Sequence, residues 1–501
     1  MKINKLILLL FLAIGTLSSC SKDEDDLLPP VTPPIGGGNG ADTTTVSLDL
    51  EIKDFVWKGM NNIYVYKSQV PNLADDKFTD QEDLYDFLKD WDSPEALFND
   101  GLTISEDRFS FITDDYVALE NSFAGIAETT GVIYRLYRFS SGDNIFGVVR
   151  YILPGSNAEG TEIKRGNLFT KINDESLTVN NYQDLLTNGS TTFGLATISD
   201  DTVTETEKSV TISTQTLTEN PILVSKTLDI DGEKIGYLLY NSFVGDFDEK
   251  LNAAFAEFKS DNVGNLILDL RYNGGGSVRS ATRLASMISG QFEGEIFAKQ
   301  QWNDTYQNLF LDQDPDRLYN RFTDKIGGAS INSLELDNLY VIMASGTASA
   351  SELVINGLDP YINVTTIGDE SVGKSQASVT LYDSDNYGKE DANPQHKYAI
   401  QPLVYESVNA DDVGVPYDGL TPDVEIIEDI ENLGELGETS DPLLAAAINA
   451  IKGTTTKSSY SQPASWYKEF KESDAGSPIY QKMYIDKLPE AFKKKASIFK
   501  K

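Results

Sequence analysis

The spacing of apolar residues changes character several times along this 501-residue chain. A continuous apolar run from Leu6 to Ile14 follows Lys2 and Lys5. It is far shorter than the roughly 20 residues that span a bilayer, so it reads as an export signal covering 1–20. Residues 21–46 carry Pro29-Pro30, Pro33-Pro34 and Gly36-Gly37-Gly38 with few apolar positions, which predicts a disordered tether. Then Ile52, Phe55, Val56, Met60, Ile63 and Tyr64 recur every three or four residues, the mark of an amphipathic helix. Acidic helical stretches follow near 81–90 and 94–98, so 47–118 is expected to form a small helical domain. None of its residue clusters suggests chemistry.

Between 119 and 220 the period shortens to two. Segments 133–139, 145–152, 168–172, 192–198 and 209–212 alternate apolar and polar residues and are separated by Gly and Asn, which predicts a small β-barrel or sandwich. From 221 to 453 strand-like runs alternate with helical ones: 234–240, a helix marked by Leu251, Phe255 and Phe258, 266–270, a helix near 280–288, 340–344, and a helix at 351–358. That alternation argues for an α/β domain with parallel strands. Asp441-Pro442 signals a capped helix start, with Gly453 as its stop. The rest, 454–501, is aromatic, ends in Lys493-Lys494-Lys495 and Lys500-Lys501, and is expected to be a surface helix without chemistry. The fold class expected overall is multidomain α/β.

Composition narrows the chemistry. Lys and Arg number 41 against 78 Asp and Glu, a net charge of −37, which repels phosphate backbones and argues against nucleic-acid partners. There is one Cys and one His. Disulfide frameworks and Cys/His zinc sites are excluded, and imidazole catalysis could rest only on His396, in the polar stretch DANPQHK. A hydrolase built on this chain must take its protons from another group.

Three segments of the α/β region can carry chemistry. Leu268-Asp-Leu-Arg-Tyr-Asn-Gly-Gly-Gly276 is a buried-type strand ending in glycines, whose backbone N–H groups can approach a ligand closely; a sharp turn alone would also need glycines. Ala344-Ser-Gly-Thr-Ala-Ser-Ala-Ser-Glu352 lies where a strand meets a helix. A hydroxyl there is accessible beside a positive helix end, though one such residue must also cap the helix. The pattern does not choose among Ser345, Ser349 and Ser351. Gly368-Asp-Glu-Ser-Val-Gly-Lys374 supplies an amine, ordinarily a solvated charge. If desolvated, it becomes a base near neutral pH and can serve a serine in place of histidine.

Together these segments resemble the C-terminal processing peptidases, or tail-specific proteases, envelope Ser–Lys endopeptidases with a PDZ domain. LDLRYNGGG, TASASE and GDESVGK occur in the family's order, and Asp418-Gly-Leu-Thr-Pro-Asp-Val-Glu425 is similar to its "GxxPD" motif. The resemblance covers about residues 50–450. It implies a crotonase/ClpP-like peptidase domain with Ser349 as nucleophile, Lys374 as general base, Glu352 as a supporting acid, and Ala350 with Gly275 or Gly276 as oxyanion donors. The chain departs from the pattern after both motifs. Asp359 and Gln376 stand near, but not at, the family's supporting positions. No metal or organic cofactor is implied, and the expected partners are polypeptide substrates.

Two further resemblances bear on organisation. Residues 151–173, YILPGSNA continuing to IKRGNLFTKIN, resemble a bacterial-protease PDZ domain, with Asn157 and Asn167 departing from the usual Pro and Asp. Such a domain binds an extended peptide by strand addition; the plainer reading is a structural β-domain. Leu17-Ser-Ser-Cys20 resembles a lipobox, which implies lipidation at Cys20 and membrane attachment; otherwise Cys20 is incidental to a cleavage site. The following Ser21-Lys-Asp-Glu-Asp-Asp26 is similar to the surface-export signal of Bacteroidetes lipoproteins, implying an outer-membrane protein, surface-exposed or facing the periplasm. Competing readings are a non-catalytic peptide- or ligand-binding lipoprotein on a peptidase scaffold and an acyl-CoA enzyme on the crotonase-type fold, the latter disfavoured by export.

Overall fold

Amphipathic periodicity puts Leu50, Phe55, Val56, Met60 and Ile63 on the buried face of α1 (Leu48–Ile63), capped by the Ser47 hydroxyl. The computed structural model describes residues 46–187, 189–454 and 466–489. The expected signal, lipobox and acidic export stretch, and the lysine runs at 493–501, lie outside the described residues. Helices α2 (Gln81–Lys89) and α3 (Tyr116–Phe123), each started by an Asp side chain accepting first-turn N–H groups, complete a helical N-terminal region; α2 falls on the stretch expected near 81–90, whereas α3 runs past residue 118, where β-structure was expected to begin.

The β-region contains β1 (Val132–Phe139), β2 (Ile145–Ile152), β3 (Leu168–Ile172), the short α4 (Tyr182–Leu186), β4 (Ser190–Ser199) and β5 (Thr202–Ser213). Successive strands pair antiparallel in the order β1-β2-β3-β4-β5. Val132, Leu136, Val149, Phe169, Ile172 and Phe193 form its core, with Tyr182, Leu185 and Leu186 of α4 packed against it. The sheet is open, not the closed barrel that alternation alone allowed.

The α/β region is built on a twisted sheet. Its strands begin with β6 (Ile222–Ile230) and β7 (Glu233–Tyr240); helix α5 (Asp248–Ser260) leads to β8 (Asn265–Asp269). Next come β9 (Gly276–Ser277), α6 (Val278–Ile288), β10 (Ile296–Trp302) and β11 (Tyr319–Arg321). They are followed by β12 (Asn338–Met343), α7 (Ala350–Leu358), β13 (Asn363–Gly368), β14 (Gln376–Ser378), β15 (Leu403–Val408), β16 (Val424–Glu425) and α8 (Pro442–Ile451). The main sheet runs β6-β7-β8-β12-β13-β16, and every pair after the β6–β7 hairpin is parallel. Continuous apolar runs such as Leu266-Ile267-Leu268 suit strands covered on both faces.

The last stretch corrects the sequence expectation. Within 454–501 the described residues 466–489 form no helix but two strands, β17 (Tyr467–Glu472) and β18 (Met483–Tyr484). β17 pairs with the open edge of β1, and β18 enters a second sheet ordered β9-β18-β14-β15-β10-β11. The unpaired N–H and C=O groups at a sheet edge offer more to an aromatic, alternating segment than a lone surface helix does.

Candidate active site

Three turns converge at the carboxyl ends of β8, β12 and β13, where open α/β sheets bind ligands. Side chains stitch them together. Thr347 Oγ1 donates to Leu270 O (2.9 Å), the Ala348 N–H to Asn273 O (3.1 Å), and the Val372 N–H to Thr347 O (3.0 Å). The first turn stands on a buried ion network: Arg271, with no exposure, meets Asp269 and Asp441 at 2.7 Å and Glu428 at 3.2 Å. Those carboxylates raise the guanidinium pKa against burial, which acts to lower it, and cations at Arg165 and Arg271 hold Glu428 well below the ordinary range although burial opposes them.

The structure separates the three serines. The Ser345 hydroxyl donates to Glu469 Oε2 (2.9 Å) and that of Ser351 to Asn273 O (3.0 Å). Ser349 has no exposure, and its Oγ has no hydrogen-bond partner. Its backbone sits at φ +66°, a strained conformation for a side-chain-bearing residue and one that clusters at functional sites. It caps α7, whose first residue is Ala350, so the Ala350 N–H stands at the positive helix end.

Lys374 is equally buried, and its Nζ also lacks a hydrogen-bond partner. Burial is the main cause holding its pKa well below the ordinary amine range; the Lys482 cation adds to this, while Asp107 and Glu352 oppose it. The ammonium position lies 4.7 Å from the centre of the Phe109 ring. Lys482 Nζ, 5.6 Å from the same ring, donates to Phe109 O at 2.6 Å, and burial lowers its own pKa to about 8.

Glu352 joins the Ser349 turn and the Lys374 turn. Fully buried, its Oε2 accepts the Ser349 N–H (2.6 Å) and the Lys374 N–H (2.9 Å); its Oε1 accepts Ser371 Oγ (2.5 Å) and the Gly373 N–H (2.7 Å). Burial raises its pKa, against these donors, which lower it. Gly373 (φ +80°) is required here, since a Cβ would lie 2.1 Å from Tyr417 O.

Of the candidate oxyanion glycines, Gly275 approaches Ser349 so closely that a Cβ on it would lie 2.7 Å from Ser349 Cβ. Its N–H, however, donates to Asn273 Oδ1 at 2.8 Å. Gly276 begins β9. Two supporting candidates do not reach the lysine. Asp359 is the exposed C-cap of α7, on the order of 15 Å from Ser349 at 1.5 Å per residue. Gln376 Nε2 donates instead to Glu406 Oε1 at 3.4 Å, because on β14 it stands two residues beyond the turn. His396 bonds Asp383 Oδ2 (2.9 Å) and the Tyr398 N–H (3.0 Å), outside all three turns. Among the described residues no group of three or more His, Cys, Asp or Glu could hold a metal.

Sequence reasoning missed Asp107, Arg108 and Phe109, from the N-terminal region read as chemically silent, and Lys482, from the tail. Arg108 Nη2 donates to Gly373 O at 2.8 Å. The charged-aromatic string EDRFSF was the one available hint.

Comparison with known proteins gives the family. The model for peptidase family S41 matches residues 234–426 and that for the peptidase S41 N-terminal domain matches 51–111, together half of the chain. A carboxyl-terminal-processing protease of Synechocystis sp. is 21% identical over 250 residues, 50% of this chain and 51% of that protein. A chloroplastic C-terminal processing peptidase of Tetradesmus obliquus is 23% identical over 303 residues, 57% of this chain and 60% of that protein. The chain thus spans about half the length of the curated relatives it matches. A solved Bacteroides fragilis structure, described as that of a candidate S41 protease, is 22% identical with a TM-score of 0.63 and covers 80% of this chain and 98% of its own, which establishes a shared fold. On its two family matches, the chain belongs to peptidase family S41.

Proposed function

We propose that the protein is a serine endopeptidase using Ser349 and Lys374, acting on extended or unfolded polypeptide segments, near their C-termini as the names of its relatives suggest. The observation that carries this reading is a pair of buried, partnerless groups, the Ser349 hydroxyl and the Lys374 amine, whose backbones are fixed by one carboxylate oxygen. A buried amine without a counterion is held neutral, the state a general base needs. Neutral Lys374 takes the Ser349 proton as Oγ attacks the scissile carbonyl carbon. The N–H groups of Ala350 and Gly276 are assigned to the developing oxyanion, that of Gly276 once the strand beside it gives way; the Gly275 N–H joins them only on giving up Asn273. The protonated lysine returns its proton to the leaving amine. Water, deprotonated by the same amine, then hydrolyses the acyl-enzyme. One missing oxyanion donor typically costs roughly 10²–10³ in rate.

The β-region is assigned as a PDZ-like peptide-docking domain on its strand order and on an edge, β1, that accepts an added strand. The LSSC sequence supports lipidation at Cys20 and attachment to the bacterial outer membrane, testable by metabolic labelling with an alkynyl fatty acid that Cys20→Ser abolishes. Cleavage of unfolded casein by the parent, S349A and K374A tests the central reading. Activity in the parent and none in either variant is expected; equal rates would overturn it.

A further inference from the structure

The C-terminal stretch 466–489 contributes none of the sequence motifs, yet it runs through each place a polypeptide would occupy. β17 lies antiparallel along β1, with Tyr467 opposite Phe139 and Glu472 opposite Arg135. Phe470 packs into the β-region core with Leu185 and Leu186, its ring 5.3 Å from that of Tyr182 on α4 and nearly perpendicular to it. This is strand addition with a side chain in the neighbouring pocket. Charge fixes the register: buried Arg135 pairs with Glu469 and Glu472, and buried Arg150 meets Glu472 at 2.8 Å.

The chain then turns and crosses the glycine loop. Gln481 N lies 3.2 Å from where a Cβ of Gly274 would stand. Lys482 O lies 3.0 Å from the equivalent point on Gly275, itself 2.7 Å from Ser349 Cβ. β18 slides between β9 and β14, placing Met483 opposite Gly276 and Tyr484 opposite Ser378. The Ile485 N–H donates to Ser378 O at 2.9 Å, and Asp486 accepts from Ser277 Oγ at 2.7 Å and Arg279 Nη2 at 3.0 Å. Gly276, a donor candidate for the oxyanion, is thereby paired in a strand ladder, and the nucleophile has no exposed surface. A serine so enclosed cannot meet a polypeptide until something leaves.

We propose that residues 466–486 are an intramolecular substrate mimic. They hold the site closed at rest, and they mark the sequence class it selects: an extended segment with an aromatic residue flanked by carboxylates, as in Glu469-Phe470-Lys471-Glu472. The proposal rests on the peptidase reading above. The tether makes the mimic a competitor at high effective concentration, while its outer anchors are weak enough to lose: Glu469 is 45% exposed, and β18 is only two residues long.

The test uses the full chain carrying Phe470→Ala and Asp486→Asn, which loosen the mimic without touching the catalytic groups. Casein cleavage at low substrate and labelling of Ser349 by a small fluorophosphonate should each rise at least tenfold. A synthetic peptide of residues 466–486 should suppress both, and should do so less when Glu469, Phe470 and Glu472 are replaced by Ala. A folded variant that is labelled and cleaves no faster than the parent overturns the inference. Should that variant fail to fold, hydrogen exchange of S349A with and without casein decides: amides of 467–472 and 483–485 must lose protection on casein binding, and unchanged protection refutes the mimic. A parent whose casein cleavage is abolished by S349A, with those amides still protected, refutes the mimic and leaves the peptidase standing. An opened, labelled variant that cleaves nothing refutes the peptidase.

Discussion

The backbone amides of Ser349 and Lys374 point at a single atom, Oε2 of Glu352, at 2.6 and 2.9 Å, so the two nitrogens can be no farther apart than the sum of those distances. Spacing between the Ser349 turn and the Lys374 turn is set by a side chain from neither end of that pair. Glu352→Ala would leave three amides and the Ser371 hydroxyl without their acceptor inside the protein. At about 1–3 kcal/mol per orphaned donor, a loss on the order of 4 kcal/mol or more is expected in urea unfolding. The kcat should fall far more than KM rises, and Glu352→Gln, keeping one acceptor oxygen, should be milder on both measures.

Lys374→Met should stabilise the fold while abolishing turnover. In the folded protein burial holds the amine below its ordinary pKa, whereas the unfolded chain binds a proton up to about pH 10.4. Between those two values the unfolded state carries the extra proton, so this group makes stability rise with pH, by about 1.4 kcal/mol per unit. The methionine removes that slope. Its gain over the parent is therefore expected to be largest on the acid side and to fade towards pH 10, read by denaturant midpoints across pH. A parent whose stability difference from Lys374→Met does not vary with pH would show that the amine is not held neutral.

His396→Ala should leave casein turnover within about twofold of the parent at every pH, because its ring is spent on Asp383 and Tyr398. The rate should be lost as pH falls through the lowered Lys374 pKa, where the base becomes protonated. A tenfold loss in His396→Ala would contradict the assignment.

Gly373→Ala asks a Cβ to stand 2.1 Å from Tyr417 O at φ +80°. About 1–3 kcal/mol of backbone strain is expected, together with a displaced lysine turn. Circular dichroism should be retained while kcat drops by at least 100-fold.

The three turns were legible because glycines and small hydroxyl residues at strand ends are read locally. Which hydroxyl is left without a partner was not, since Ser345, Ser349 and Ser351 are chemically the same; the difference lies in what each hydroxyl meets, Glu469, nothing and Asn273. Phe109 and Lys482 were invisible for another reason. They reach the lysine from far along the chain on either side, and no local period encodes such an encounter. The tail was misread because a lysine-rich end suggests a solvated helix, whereas β17 is recruited by the open edge of β1. Asp359 and Gln376 failed on geometry that spacing cannot supply: one is at the far end of α7, the other past the turn.

Arg271 has a consequence for how the protein is made. Its guanidinium lies beneath the glycine turn, yet two of its three carboxylate partners, Glu428 and Asp441, are more than 150 positions downstream. A ribosome that has just released the turn has produced only one of the three carboxylates that hold its foundation, Asp269. Until Asp441 emerges and caps α8, Arg271 has only Asp269, two residues before it, and then Glu428 of the three carboxylates that surround it in the folded protein. The support beneath the turn is therefore complete only once helix α8 has been made.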